Sequence, residues 1–203
     1  MLSRTTDPEP RRCALPAWAL ACALVVASAP PVALPAQPPY VQKPQPRVST
    51  VRLEKKIHDL INRERKARRL APLSWDGPLA AIARGHSGDM AKRDYFSHDS
   101  PEGRQFHDRY SKAAYRCALR VGDIIYGGAE NLARGTLYAS ITTVNGVQYF
   151  DWKSEDKIAA DAVEGWMASR GHRTNILTPH WKHEGIGVVV APDRKVYVTE
   201  NFC

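Results

Sequence analysis

The chain has 203 residues, 43% of them hydrophobic, and carries a formal charge of +8 at pH 7. That length suits one domain, two at most. The positive charge favours surroundings of anionic lipid or wall polymer, while the lack of a basic run interleaved with aromatics argues against specific nucleic-acid binding.

Residues 13–29, CALPAWALACALVVASA, are uncharged and mostly apolar, and follow Arg4, Arg11 and Arg12. So short a run, with a proline inside, suits the apolar region of a signal peptide better than a membrane span of about 20 residues. Small residues at Ala27, Ser28 and Ala29, and again near Ala36, offer cleavage positions. Residues 1–36 are therefore read as a signal peptide, with an uncleaved N-terminal anchor as the alternative. The segment would meet the membrane during export, and the expected location is secreted or extracytoplasmic. Ten of the fifteen prolines precede residue 50, so residues 37–49 are read as an extended Pro-rich linker. Residues 50–203 remain as one domain.

Within that domain, Leu53, Ile57, Leu60 and Ile61 fall at helical spacing and predict a helix over 50–69. The basic stretch RERKARR at 63–69 closes it and reads as a solvated face that complements the helix dipole. After the break LAPLSWDGP, a second helix carries Leu79, Ile82, Ala83, His86 and Met90 on one stripe, with His86 expected in the core. A third is expected over about 102–113. The glycine-flanked GGAENLARG follows, and Glu130 with Arg134 would form a surface pair if that segment were helical. Asn145-Gly146 between two β-rich runs predicts a hairpin. Ser154 caps a helix with Ile158, Ala162, Val163, Trp166 and Met167 inward, and Gly171 is expected to end it. The tail predicts two strands joined at APDRK. Helices first and strands late give an α+β class.

Cys13 and Cys22 belong to the leader, which leaves Cys117 and Cys203. In an exported domain two cysteines read as one disulfide, the alternative being two free thiols. No CxxC pair is present, so a cysteine-based zinc site is not expected.

Three residues stand out for chemistry. His172, directly after Gly171, reads alone as a cation at a helix end. His98 reads alone as a loop histidine, and Glu130 as half of a surface pair. No nucleophile is convincing. Ser97 and Ser100 lack a Gly-x-Ser-x-Gly elbow, Ser154 with Lys157 lacks the companion motifs of a penicillin-binding site, and HEGIG at 183–187 lacks the second histidine of a zinc peptidase. His180 and His183 are expected in a loop.

Taken in order, LSWDGPLAAIARGHSGDMAKRDYFSHDSPEGR, GAENLARG, AVEGWMASRGHRTNIL and GIGVVV resemble the CAP superfamily, also called the SCP or pathogenesis-related-1 type, in its exported prokaryotic branch. The resemblance covers about residues 50–203. It implies an α-β-α sandwich, helices on both sides of a small sheet, with two histidines and two acids around one cleft. His98, Glu130 and His172 match family positions. Ala129 replaces a glycine of the Gly-Glu-Asn-Leu block, and Ser169 stands where many eukaryotic members carry the second acid. Glu164 is the local substitute for that acid. The resemblance implies a secreted binding or structural module, with a small apolar ligand, a wall fragment or a protein as partner. The alternative is a hydrolase or peptidase with Zn2+ on His98 and His172 and Glu130 as base.

Overall fold

A computed structural model describes residues 40–203. The expected signal peptide and the start of the linker lie outside the described residues. The elements in chain order are α1 (Thr50–Ala67), β1 (Ser74–Trp75), α2 (Gly77–Arg93), α3 (Phe106–Lys112), β2 (Leu119–Val121), β3 (Ile124–Tyr126), β4 (Ala129–Thr136), β5 (Tyr138–Val144), β6 (Val147–Trp152), α4 (Glu155–Ala168), α5 (Arg170–Leu177), β7 (His183–Val190) and β8 (Lys195–Phe202). The main sheet runs β1-β7-β8-β4, with β1 parallel to β7 and the other pairs antiparallel. Two hairpins, β2–β3 and β5–β6, stand outside it.

The alternation in β7 sets the layers. Ile186 and Val188 face Leu53, Ile57 and Ile61 of α1 and Val163 and Trp166 of α4 in one apolar core. Gly185 and Gly187 face the other way, and a Cβ at either would collide with the α2 backbone at Ala80 or Arg84. Glycine at alternate positions thus lets α2 lie directly on the strand. Helices α1, α4 and α5 cover one face of the sheet and α2 the other, which is the expected α-β-α sandwich.

Several local expectations hold. Ser154 Oγ accepts from Lys157 N at 3.1 Å and caps α4. Asn145 and Gly146, with φ of 50° and 78°, make the positive-φ turn of the β5–β6 hairpin. Cys117 and Cys203 are joined, with Cα atoms 5.6 Å apart. In the chain-entropy model a loop of that length contributes about 4 kcal/mol, and the bond fixes the last residue beside β2. The described part of the linker has no regular secondary structure but is tied down. Trp152 Nε1 donates to Lys43 O at 2.9 Å, and Arg194 Nε to Gln45 Oε1 at 3.2 Å.

Other expectations change. The third helix is shorter, starting after Gln105 because Asp108 Oδ2 takes the Gln105 N–H at 2.7 Å. Residues 129–136 are a strand, so Glu130 and Arg134 do not pair, and Arg134 instead lies over the Phe96 ring at 5.0 Å. Arg65 is not part of a solvated face. It is fully buried and donates to the carbonyls of Ala71, Ile176 and Thr178, tying α1 to the end of α5. Gly171 does not end a helix either, since α4 stops at Ala168 and α5 begins at Arg170.

Candidate functional site: a histidine–glutamate cleft at the edge strand

Strand β4 is the open edge of the main sheet, and its alternation divides the site. Glu130 and Leu132 point to the α2 side, Asn131 to the α1 and α5 side. Glu130 is buried, and both its oxygens are occupied. His98 Nδ1 lies 2.9 Å from Oε1, and Arg109 Nη2 donates to Oε2 at 2.7 Å. His86 stands behind, its Nε2 donating to Ser97 O at 3.0 Å and lying 4.0 Å from Glu130 Oε1. His86 is buried as expected, and burial holds its pKa below the usual histidine value despite Glu130. Arg109 also donates to His98 O at 3.1 Å, so one guanidinium fixes both the carboxylate and the loop that carries the imidazole.

His172 reaches the site from the other side, as the third residue of α5. It therefore sits at the positive end of a helix dipole, where protonation is disfavoured rather than favoured. Burial, and then the neighbouring His98, lower its pKa below the usual value. Two amides tie α5 to β4. Asn175 Nδ2 donates to Glu130 O at 3.3 Å and to Asn131 Oδ1 at 2.8 Å, while Asn131 Nδ2 donates to His172 O at 3.2 Å. A hollow of about 340 Å3 opens here, lined by His98, Asp99, Gln105, Phe106, Gly128, Ala129, Glu130 and Asn175. Gly128 has φ of +106°, and a Cβ there would lie 2.8 Å from the Tyr110 ring and 2.9 Å from Phe202 O, so only glycine keeps this wall in place.

Glu164 is exposed on α4 and faces Lys157. It lies two residues, more than half a helical turn, from Trp166, whose Nε1 donates to Leu132 O at 2.9 Å on the sheet side. The geometry does not bring it to Glu130. Ser169 bridges α4 and α5 and adds no acid. Arg109, Asn131 and Asn175 were missed in the sequence. The Asn-Leu and Thr-Asn steps beside two candidate residues were the available signals, while Arg109 had none.

Ser97 Oγ accepts from Asp99 N at 3.2 Å, and Ser100 Oγ donates to Glu102 at 2.9 Å, so neither is bonded to an imidazole. For a metal, His98 has Nδ1 on Glu130 and Nε2 left to coordinate, a carboxylate–histidine arrangement that suits zinc. Yet among the described residues no three side chains of His, Cys, Asp or Glu converge. No three-ligand set of a catalytic zinc is therefore assembled among the described residues, and His172, though near enough to His98 to feel its charge, does not line the hollow.

The family model of the cysteine-rich secretory proteins (CAP) matches residues 58–202. An uncharacterized membrane protein of Bacillus subtilis, YlbC, is 37% identical over 150 residues, covering 73% of this chain and 34% of its own length. A solved extracellular protein containing an SCP domain from Bacillus anthracis is 29% identical at a TM-score of 0.53, covering 75% of this chain and 40% of that one. An outer surface protein of Borrelia burgdorferi, 17% identical, shares the fold at a TM-score of 0.56 over 76% of this chain and 94% of its own. The chain thus spans about a third of YlbC and two-fifths of the Bacillus anthracis protein. No helix among the described residues is long and apolar enough to cross a membrane.

Proposed function

Since the chain belongs to the CAP, or cysteine-rich secretory protein, family, we propose that it is an exported binding module whose β4-edge cleft holds a small polar fragment of wall polymer without turning it over. The observation that carries this reading is the commitment of Glu130. Both oxygens serve to hold His98 and Arg109, which suits a positioning group better than a general base that must receive a substrate proton. The lining supports a polar ligand over a purely apolar one. Gln105 and Asn175 bring amides, His98 an imidazole and Phe106 an apolar ring face, a mixture suited to sugar or peptide recognition. Export is supported by the leader reading, by a disulfide of the kind that persists in oxidising compartments, and by the extracellular Bacillus anthracis relative. The positive charge adds attraction to anionic polymer.

The test is isothermal titration of the protein with soluble disaccharide-peptide fragments of wall polymer. Saturable binding that weakens about tenfold or more in His98→Ala and Asn175→Ala is expected. No binding, or binding indifferent to both changes, overturns the reading.

The second reading is a metal-assisted hydrolase, favoured by His98, whose Nδ1 is taken by Glu130 and whose Nε2 is left to coordinate, with His172 close enough to feel its charge. A Zn2+ held there would supply a water of lowered pKa. A zinc-dependent rise in Tm that disappears in the His98→Ala, His172→Ala double variant would support the metal site.

A further inference from the structure

A groove of about 630 Å3 lies between α2 and α3 and shares no lining residue with the cleft. Its volume falls in the range of small-molecule sites, about 300–1,000 Å3. We propose that this groove is a second ligand site, for a small organic anion with an apolar body.

The two walls differ in chemistry. Pro78, Ala81 and Ile82 of α2, with Tyr115, make one apolar wall. Arg104, Arg109 and Lys112 make the other. Two acids also line the groove, Asp89 paired with Arg93 at 3.6 Å and Asp108 turned to the start of α3. Asp89 Oδ2 accepts from Tyr95 Oη at 2.6 Å, and Asp108 Oδ2 accepts the Gln105 N–H at 2.7 Å. Arg104 has a solvent-exposed partner in Glu102, whereas Lys112 makes no ion pair among the described residues. Arg109, though bonded to Glu130, keeps a buried Nε with no hydrogen-bond partner. An anion seated against this wall would meet the unpaired ammonium of Lys112 and lie beside the unpartnered Nε–H of Arg109.

Gly85 explains why the groove is open. It lies inside α2, where glycine is unfavourable, and no close packing requires it, since an added Cβ would meet nothing within 4 Å. The space it leaves is part of the groove, one helical turn from Ala81. Gly185 and Gly187, by contrast, are filled against by backbone. Arg109 makes the groove adjoin the cleft, because the guanidinium that walls one holds the carboxylate of the other.

The probe is 4-phenylbutyrate, with 4-phenylbutan-1-ol as the uncharged analogue, titrated into the isotope-labelled protein by NMR. A ligand of this size is expected to bind with a Kd of order 1 mM. Amide shifts should centre on residues 81–85 and 109–115, the alcohol should bind about tenfold more weakly or worse, and Lys112→Glu should weaken the anion alone. Gly85→Leu should abolish binding with an unchanged or raised Tm. Ala81→Leu, on the same helical face, serves if that variant does not fold. Equal binding of acid and alcohol, shifts elsewhere, retention in the leucine variant, or no saturable binding to about 10 mM would each overturn the proposal. Wall-fragment binding in the cleft is measured separately, so failure of either site leaves the other intact.

Discussion

Arg109 Nη2 donates to Glu130 Oε2 at 2.7 Å, and the same guanidinium grips the carbonyl of His98. The edge-strand acid, the imidazole that meets it and the loop between them are held by this one buried cation. The pair is well shielded, with the side chains 14% and 1% exposed. Replacing Arg109 with Ala leaves a buried carboxylate facing only two imidazoles, a loss on the order of 3 kcal/mol. Replacing Glu130 as well, to give Arg109→Ala with Glu130→Gln, should recover part of that loss. Urea denaturation of the single and double variants measures both terms, and an equal loss in the two would show that the charge pair is not the reason.

A second buried group answers to pH. Glu184 and Glu200 lie on the core face of β7 and β8, with His58 Nδ1 on Glu184 and Asn131 Nδ2 donating to Glu200 at 3.0 Å. Burial pushes Glu184 up to about 8, and Glu200, facing Glu184, is also raised well above the carboxylate range. The folded protein therefore holds a proton that the unfolded chain releases above its ordinary value of about 4.5. Stability from this source is complete below that value and is lost as pH climbs through about 8. His58, His86 and His172, each lowered chiefly by burial, act oppositely and lose stability as pH falls, but all three remain in a Glu200→Gln variant, so their contribution largely cancels in the comparison. The variant should gain on the wild type between about pH 5 and pH 8, by on the order of 1–3 kcal/mol. Parallel stability profiles would contradict the shared buried proton.

The glycines of β7 give a packing prediction. Gly187→Ala would drive a methyl group into the backbone of Arg84. Helix α2 has to shift off the strand, at a cost of about 1–3 kcal/mol. Gly171→Ala, where an added Cβ meets nothing within 4 Å, should cost little by comparison. Thermal unfolding of the two variants side by side checks the difference, and equal losses would show that β7 and α2 are not packed through bare backbone.

Periodicity made α1, α2, α4 and the two late strands legible, because each carries a one-faced apolar pattern and a cap or turn residue at its end. The sandwich itself came from the order of motifs. What the sequence hid were long-range effects. Arg65 looks like one of five cations in a solvated run, yet three backbone carbonyls, two at the end of α5 and one in the loop after α1, take it inside. The segment around Glu130 has glycines at both ends and no alternation strong enough to announce a strand, which only β8 supplies as a partner. Gly171 looks like a stop, but the chain turns at Ser169 and starts a second helix, which reverses the dipole felt by His172. Arg109 lay in a helix with nothing local to mark it, since its role depends on a carboxylate 21 residues away.

The most direct measurement is mass spectrometry of wall-polymer fragments after prolonged incubation with stoichiometric protein, once metal-free and once with zinc. Intact fragments in both samples, from protein that binds them in titration, are the expected result. Cleavage products that vanish when Glu130 is changed to Gln would contradict a binding module and make the cleft an active site.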